Sequence, residues 1–386
     1  MKNQELEKLA MQGAFFVYDL DKLYKHATQL TANQIRIFFA CKANPLSAVI
    51  KTLRKAGLHF DVASEGELLQ VVAQNILGNH IILTGPAKSE HLLRLALNCR
   101  VGVFVIESAQ QLQLLQQLAK NYSYKPSVLL RIQLQWDSFD DTNIIGGNHT
   151  THFGIDLETA KTILHQIKLP FLGFHVFQWS NILCINKLQT IWEHTIKTCQ
   201  TLTKDFTVID VGGGLGIPYQ GEKPISWQSV NMLIKNLQNT YNIPEFWLEM
   251  GRYLIGPYGF YMTTVVDRKK TYAQDILILE GGINHIARPA LVKEFFPVSL
   301  LRNTSAKLQY FLLYGPLCTS LDFLGKVMLP SDVQINDILI FQQAGAYGFT
   351  ESLPFFLCHK IPGEAVYYQD KIRIIRTPQS AQSWLK

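Results

Sequence analysis

At 386 residues the chain is long enough for two or three domains at ~150 residues each, which excludes a small scaffold stapled by disulfides. Hydrophobic residues make up 47% and charged residues 17%, a composition that fills cores and excludes disorder or a solvated coiled coil. The 36 Lys and Arg against 30 Asp and Glu leave a surplus of +6 scattered along the chain, so nucleic acid is not indicated, whereas an acidic partner or a phosphorylated ligand would suit it.

No run approaches the about 18 consecutive apolar residues of a membrane span, and the start MKNQELEKLAMQG has no basic end followed by an apolar run, so a cytoplasmic protein without membrane contact is expected. The six cysteines (Cys41, Cys99, Cys184, Cys199, Cys318, Cys358) show neither a CxxC pair nor zinc-like spacing. They are expected as free thiols, mostly buried, and no metal is expected.

In chain order, AFFVYDL reads as a first strand. From about residue 35 to about residue 252, eight short apolar runs (IRIFFACKA, HFDVASE, HIILTG, VGVFVIES, SVLLRIQLQ, PFLGFHVF, FTVIDVGGG, EFWLEMGR) then alternate with amphipathic helical stretches such as PLSAVIKTLRKAG and AQQLQLLQQLAK. Eight strand–helix units predict a (β/α)8 barrel over 26–255, with a doubly wound open sheet as the alternative. Beyond it the runs FYMTTVVDRK, QDILILEGG, LQYFLLYGP, DILIFQQAGAYG, EAVYYQD and KIRIIRT are β-branched, aromatic and bounded by turn residues. They predict a β domain over 256–386, to which the strand within 1–25 is expected to add.

Reactive groups of such barrels lie at the carboxyl ends of the strands, with phosphate held after the seventh and eighth. There the sequence has TVIDV followed by Gly212-Gly213-Gly214-Leu215-Gly216, and FWLEM followed by Gly251-Arg252. Consecutive glycines let backbone N–H groups converge on an anion, and the guanidinium adds charge, although a glycine-rich turn can also be only a turn. The first barrel strand ends in Cys41-Lys42-Ala43-Asn44-Pro45, where desolvation is expected to turn Lys42 into a nucleophilic amine; a snorkelling rim lysine is the alternative. A lysine amine together with a phosphate cradle suits pyridoxal 5'-phosphate, and Glu249 would then face its pyridine nitrogen.

On FFACKANP, FDVASEGEL, TGPAKS, GFHVF, VIDVGGGLG, LEMGR, EGGINHIARPAL, GPLCTSLDFLG and AGAYG, in that order, the chain resembles the fold-type III pyridoxal-phosphate decarboxylases, which include diaminopimelate, ornithine and arginine decarboxylases beside the more distant alanine racemases. The resemblance implies an alanine racemase-type barrel plus β domain and a homodimer with shared active sites. It implies that Lys42 holds the cofactor covalently, that His175 stacks behind the pyridine ring, and that Gly213, Gly214, Gly251, Arg252 and Tyr347 belong to the cofactor-binding set. It also implies that Glu249 meets the ring nitrogen and that Cys318 enters from the partner subunit to return a proton after carbon dioxide leaves. Arg131, Asp61 and Ser64 fall at supporting positions.

Two departures bear on the substrate. Thr319 follows Cys318 where relatives with a distal ammonium on the substrate carry an acidic residue, so lysine, ornithine, arginine or diaminopimelate is not expected to be held by that route. The small turn after the histidine is replaced by the bulkier Val176-Phe177-Gln178-Trp179-Ser180-Asn181. LEMGRYL, HVFQWSN and GPLCTSLDFLGK resemble most the branch that decarboxylates a glutamyl group thioesterified to an acyl carrier protein, as in butirosin biosynthesis. Arg288 keeps a diaminopimelate-decarboxylase trait, and with Thr319 and Asp322 makes the expected substrate set. Decarboxylation of an amino acid or of a carrier-tethered aminoacyl group is therefore expected, with diaminopimelate decarboxylation, racemisation or a catalytically silent homologue as alternatives.

Overall fold

The structure is a computed structural model that describes residues 1–32, 35–136 and 151–385. The chain forms two compact units, one of residues 24–217 and 223–254, the other of 1–23, 218–222 and 255–386. β1 (Phe15–Asp19) precedes the first unit, which holds β2 (Arg36–Ala40), β3 (His59–Val62), β4 (Ile81–Leu83), β5 (Val103–Ile106), β6 (Ser127–Arg131), β7 (Phe171–His175), β8 (Val208–Asp210) and β9 (Glu245–Met250). These eight close into a parallel barrel, sealed by β2 against β9 with Arg36 opposite Trp247 and Phe39 opposite Met250.

Phe38, Ile82, Val103, Val105, Leu129, Val208 and Trp247 pack together as a buried cluster of strand residues. Several of the intervening helices start on a side-chain cap: Ser64, Ser89, Ser108 and Asp156 each accept a backbone N–H three residues on. These caps fix where each strand–helix loop ends and so position the strand ends that carry polar groups.

The second unit is built on β10 (Gly259–Thr271), β11 (Gln274–Leu279), β12 (Val298–Leu300), β13 (Leu308–Tyr314), β14 (Phe323–Pro330), β15 (Ile338–Phe341), β16 (Gly363–Tyr368) and β17 (Lys371–Arg376). The sheet runs β14-β13-β11-β10-β1-β16-β17, with β15 joining β10 and β12. β1 lies inside it, antiparallel to β10 and parallel to β16. A helix over Asn3–Ala10 covers one face through Leu6, Leu9 and Ala10, packed on Phe15, Val17 and Met262. That helix was legible in the i, i+3, i+4 spacing of its apolar residues, a period the sequence reading passed over for the charge of the same segment.

Candidate active site

Each barrel strand except β4 delivers an ionisable side chain at its carboxyl end. In order they are Lys42 just past β2, Asp61 in β3, Glu107 after β5, Arg131 closing β6, His175 closing β7, Asp210 closing β8 and Glu249 in β9, while Thr84 and Lys88 follow β4. Lys42 stands in a single 3-10 turn, Cys41–Ala43. Its neighbours Cys41 and Ala43 are buried, but Lys42 is itself exposed, which corrects the expectation of a desolvated amine: the turn throws the side chain clear of the strand packing. The Phe177 ring lies 5.5 Å from its ammonium.

His175, Asp210 and Glu249 bring their polar atoms within 4.8 Å of one another, all buried. His175 Nε2 is 3.3 Å from Glu249 Oε2. Burial and then the charge of Glu249 push Asp210 well above the usual carboxylate range, and burial followed by Glu249 also pushes Asp61 up. Burial would raise Glu249 as well, but His175, Lys42 and Arg131 overcome it and hold this carboxyl below its ordinary value. One carboxylate is thereby kept ionised between two that resist ionising. Among the described residues His175 Nδ1, Asp210 Oδ2 and Glu249 Oε1 find no hydrogen-bond partner, so this end of the barrel offers buried polar atoms to a ligand.

The glycine loop lies beside them. Gly212 and Gly214 have φ of +63° and +97°, values that favour glycine. Asp210 Oδ1 accepts the Gly212 N–H at 2.8 Å and the Glu249 N–H donates to the Gly212 carbonyl at 2.7 Å, stitching the loop to β9. A Cβ at Gly212 would stand 2.6 Å from that of Phe177, and one at Gly213 would strike the Glu249 carbonyl. The loop must therefore show bare backbone. Gly251 and Arg252 follow β9 directly, both buried, and Arg252 opens the short helix Arg252–Ile255.

The remaining candidates belong to the second unit. Cys318 is exposed and Thr319 half-buried. Asp322 is buried and accepts the Ile283 and Leu317 N–H groups at 2.7 Å each, so it ties the Cys318 loop to the 281–285 turn. Arg288 is held at 2.6 Å by both Glu294 and Glu351, with its guanidinium over the Tyr347 ring at 4.9 Å. Of the six thiols only Cys41 and Cys199 are buried; Cys184, Cys318 and Cys358 are exposed, against the expectation of mostly buried ones, because none of the three lies in a strand or α-helix. Ser64 caps the helix Glu65–Val72. Gln178 bonds both backbone groups of Leu134.

Residues 19–256 match the family described as "Pyridoxal-dependent decarboxylase, pyridoxal binding domain". The chain belongs to the pyridoxal-dependent decarboxylases. It is 27% identical to the L-glutamyl-[BtrI acyl-carrier protein] decarboxylase of Niallia circulans, over 95% of this chain and 91% of that one. It is also 27% identical to the diaminopimelate decarboxylase of Zymomonas mobilis, over 91% and 85%. In fold it matches the crystal structure of diaminopimelate decarboxylase from M. jannaschii in co-complex with L-lysine, with TM-score 0.86 and 21% identity over 97% and 92% of the two chains. The cofactor of this enzyme is pyridoxal 5'-phosphate, and the donors present fit it: an amine, a glycine cradle with a guanidinium, and buried acceptors lacking partners. Histidine with two carboxylates is also a set that a divalent cation accepts. Among the described residues no helix is long and apolar enough to cross a membrane.

Sequence reasoning did not assign Lys88, Glu107, Asp210 or Phe177. Lys88 and Asp210 stood inside the quoted segments TGPAKS and VIDVGGGLG, and the available signal was an ionisable residue ending an apolar strand.

Proposed function

We propose that this decarboxylase removes the α-carboxylate of an aminoacyl group of the glutamyl type presented on an acyl carrier protein. Pyridoxal phosphate supplies the electron sink for the pair left at Cα when carbon dioxide departs. Lys42 would hold the cofactor through its side-chain amine. Gly213, Gly214, Gly251 and Arg252 would hold the phosphate end. His175 would pack against the ring, and Glu249, held below its ordinary value by His175, Lys42 and Arg131, would accept the ring N–H. Cys318 of a second subunit gives its Sγ proton to Cα, replacing the bond to carbon lost as carbon dioxide.

The observation that carries the chemistry is the ionised Glu249 beside His175 at one barrel end with Lys42 and the glycine loop. Two observations bear on the substrate. Thr319 offers no charge to a distal ammonium, and the Arg288 guanidinium is already met by two carboxylates, leaving little attraction for a free distal carboxylate. A group whose far end is masked as a thioester needs neither. Carrier proteins are acidic, and the surplus of +6 favours their approach.

Carbon dioxide release from free glutamate, free diaminopimelate and glutamyl-loaded carrier protein tests the reading. Turnover of the carrier-bound group is expected to exceed the others and to weaken with salt. Efficient turnover of free diaminopimelate, with no gain from the carrier, would overturn it in favour of lysine synthesis.

A further inference from the structure

Three charged groups at or after the carboxyl ends of β4, β5 and β6 form a cluster of which only Arg131 has entered above, through its pull on Glu249. The Lys88 side chain is wholly buried; its ammonium donates to the Gly85 carbonyl and lies 3.5 Å from Glu107 Oε1. Glu107, 2% exposed, also accepts Arg131 at 3.2 and 3.3 Å and the Gly154 N–H at 3.0 Å. Arg131 lays its guanidinium on the Phe153 ring at 4.6 Å. A buried ammonium is costly unless compensated, and here two cations share a single carboxylate. The cluster therefore carries one positive charge in excess, inside the barrel, where that charge is weakly screened.

The excess faces the carboxylates on either side. Arg131 draws on Asp210 and Glu249, and Lys88 draws on Asp61. We propose that Lys88 is a positioning residue for the cofactor site: shared through Glu107 with Arg131, its charge leaves Arg131 free to hold Glu249 ionised against the cofactor ring. The proposal rests on the ring-nitrogen role given to Glu249 above. When Lys88 gives up its proton, Glu107 and Arg131 close into a neutral pair and the pull on Glu249 falls. Burial lowers the Lys88 ammonium to about 8, so the change falls at mildly alkaline pH. The groups facing Lys88 are Glu107, Arg131, Asp61 and the Gly85 carbonyl; those facing Glu249 are His175, Asp210, Asp61, Lys42 and Arg131.

The test follows the absorbance of bound pyridoxal phosphate, and its dissociation constant, from pH 6 to 10 in the wild type, Lys88→Met, Lys88→Arg and Glu107→Gln. The wild type should show a transition near the pH where Lys88 titrates, about 8. Lys88→Met should remove it and fix the high-pH spectrum throughout, with cofactor bound more weakly at pH 7. Lys88→Arg, charged at every pH used, should hold the low-pH spectrum to pH 10, and Glu107→Gln should displace the transition downward by releasing the lysine from its counter-charge. A folded Lys88→Met that keeps the wild-type transition, or a Lys88→Arg that titrates like the wild type, overturns the proposal. If Lys88→Met does not fold, the arginine variant decides alone. Failure of the wild type to bind the cofactor would instead overturn the functional reading on which the proposal rests.

Discussion

The two ends of the barrel use the same strands and comparable residues to opposite effect. At the amino ends, Arg36 and Glu245 pair at 3.3 Å with side chains 38% and 46% exposed, and the guanidinium lies over Trp247 at 4.5 Å. At the carboxyl ends, His175, Asp210 and Glu249 lie buried, with polar atoms lacking partners among the described residues. Water screens the first set; the barrel walls strip water from the second, so each charge is felt by its neighbours. Burial without full pairing costs stability, and a protein retains it where a ligand completes the pairing.

The largest effect should come from the carboxyl end. Lys42→Ala is expected to cut turnover by on the order of 10³-fold or more, as the loss of a covalent residue does. Because Lys42 is exposed and outside the packed strands, the melting temperature of the cofactor-free protein should hardly move. Mass spectrometry after borohydride reduction measures the covalent adduct directly. An adduct surviving in the variant would move the covalent role to another amine, with buried Lys88 the first to examine.

A smaller effect, of unusual sign, should follow from Asp210. Its pKa is raised on folding, so between the ordinary aspartate value of ~3.9 and the raised one the folded state binds more protons than the unfolded state, and stability falls as pH rises through that window. Asp210→Asn keeps an oxygen for the Gly212 N–H and removes the titration. The cofactor-free variant should thus melt higher than the wild type, by a margin that grows from pH 5 to pH 8 to on the order of 1 kcal/mol or more. A margin independent of pH would show that Asp210 is not strained toward protonation, and the contrast between the two barrel ends would lose its main support.

How far this was legible from sequence differs between fold and site. The eight barrel strands were readable because a strand buried on both faces is a short apolar run, and runs such as IRIFFA and SVLLRI have no competing period. β12 and β14 were missed: VSL is three residues long, and FLGKVMLP followed a motif that drew attention to its cysteine. The motif residues Lys42, Glu249 and the glycine loop were found through local spacing. The Lys88–Glu107–Arg131 cluster was not, because its members are 19 and 24 residues apart and meet only when β4, β5 and β6 are laid side by side. The exposure of Lys42 was misjudged for a related reason: an apolar strand predicts burial of the backbone at its end, but says nothing of where a turn aims the side chain.

The smallest effect should lie at the amino ends, and it tests whether the two ends are independent. Glu245→Gln removes the ion pair with Arg36 while leaving a side-chain oxygen for the Trp247 indole N–H, which Glu245 accepts at 2.8 Å. Exposed pairs of this kind contribute ~0.2–1 kcal/mol, and part of the Arg36 interaction, its contact with the Trp247 face, survives the change. Trp247 itself is buried beside Phe38, so the barrel core is not opened. Denaturant melts should therefore shift by under about 1 kcal/mol, less at high salt, with kcat and cofactor affinity unchanged. β9 runs from Glu245 to Met250 and carries Glu249 on the way, so a rigid strand is the physical route by which the ends could communicate. If Glu245→Gln altered the cofactor spectrum or turnover without a matching loss of stability, that strand would be transmitting strain to Glu249, and the polar mouth could no longer be treated as set by its own neighbours alone.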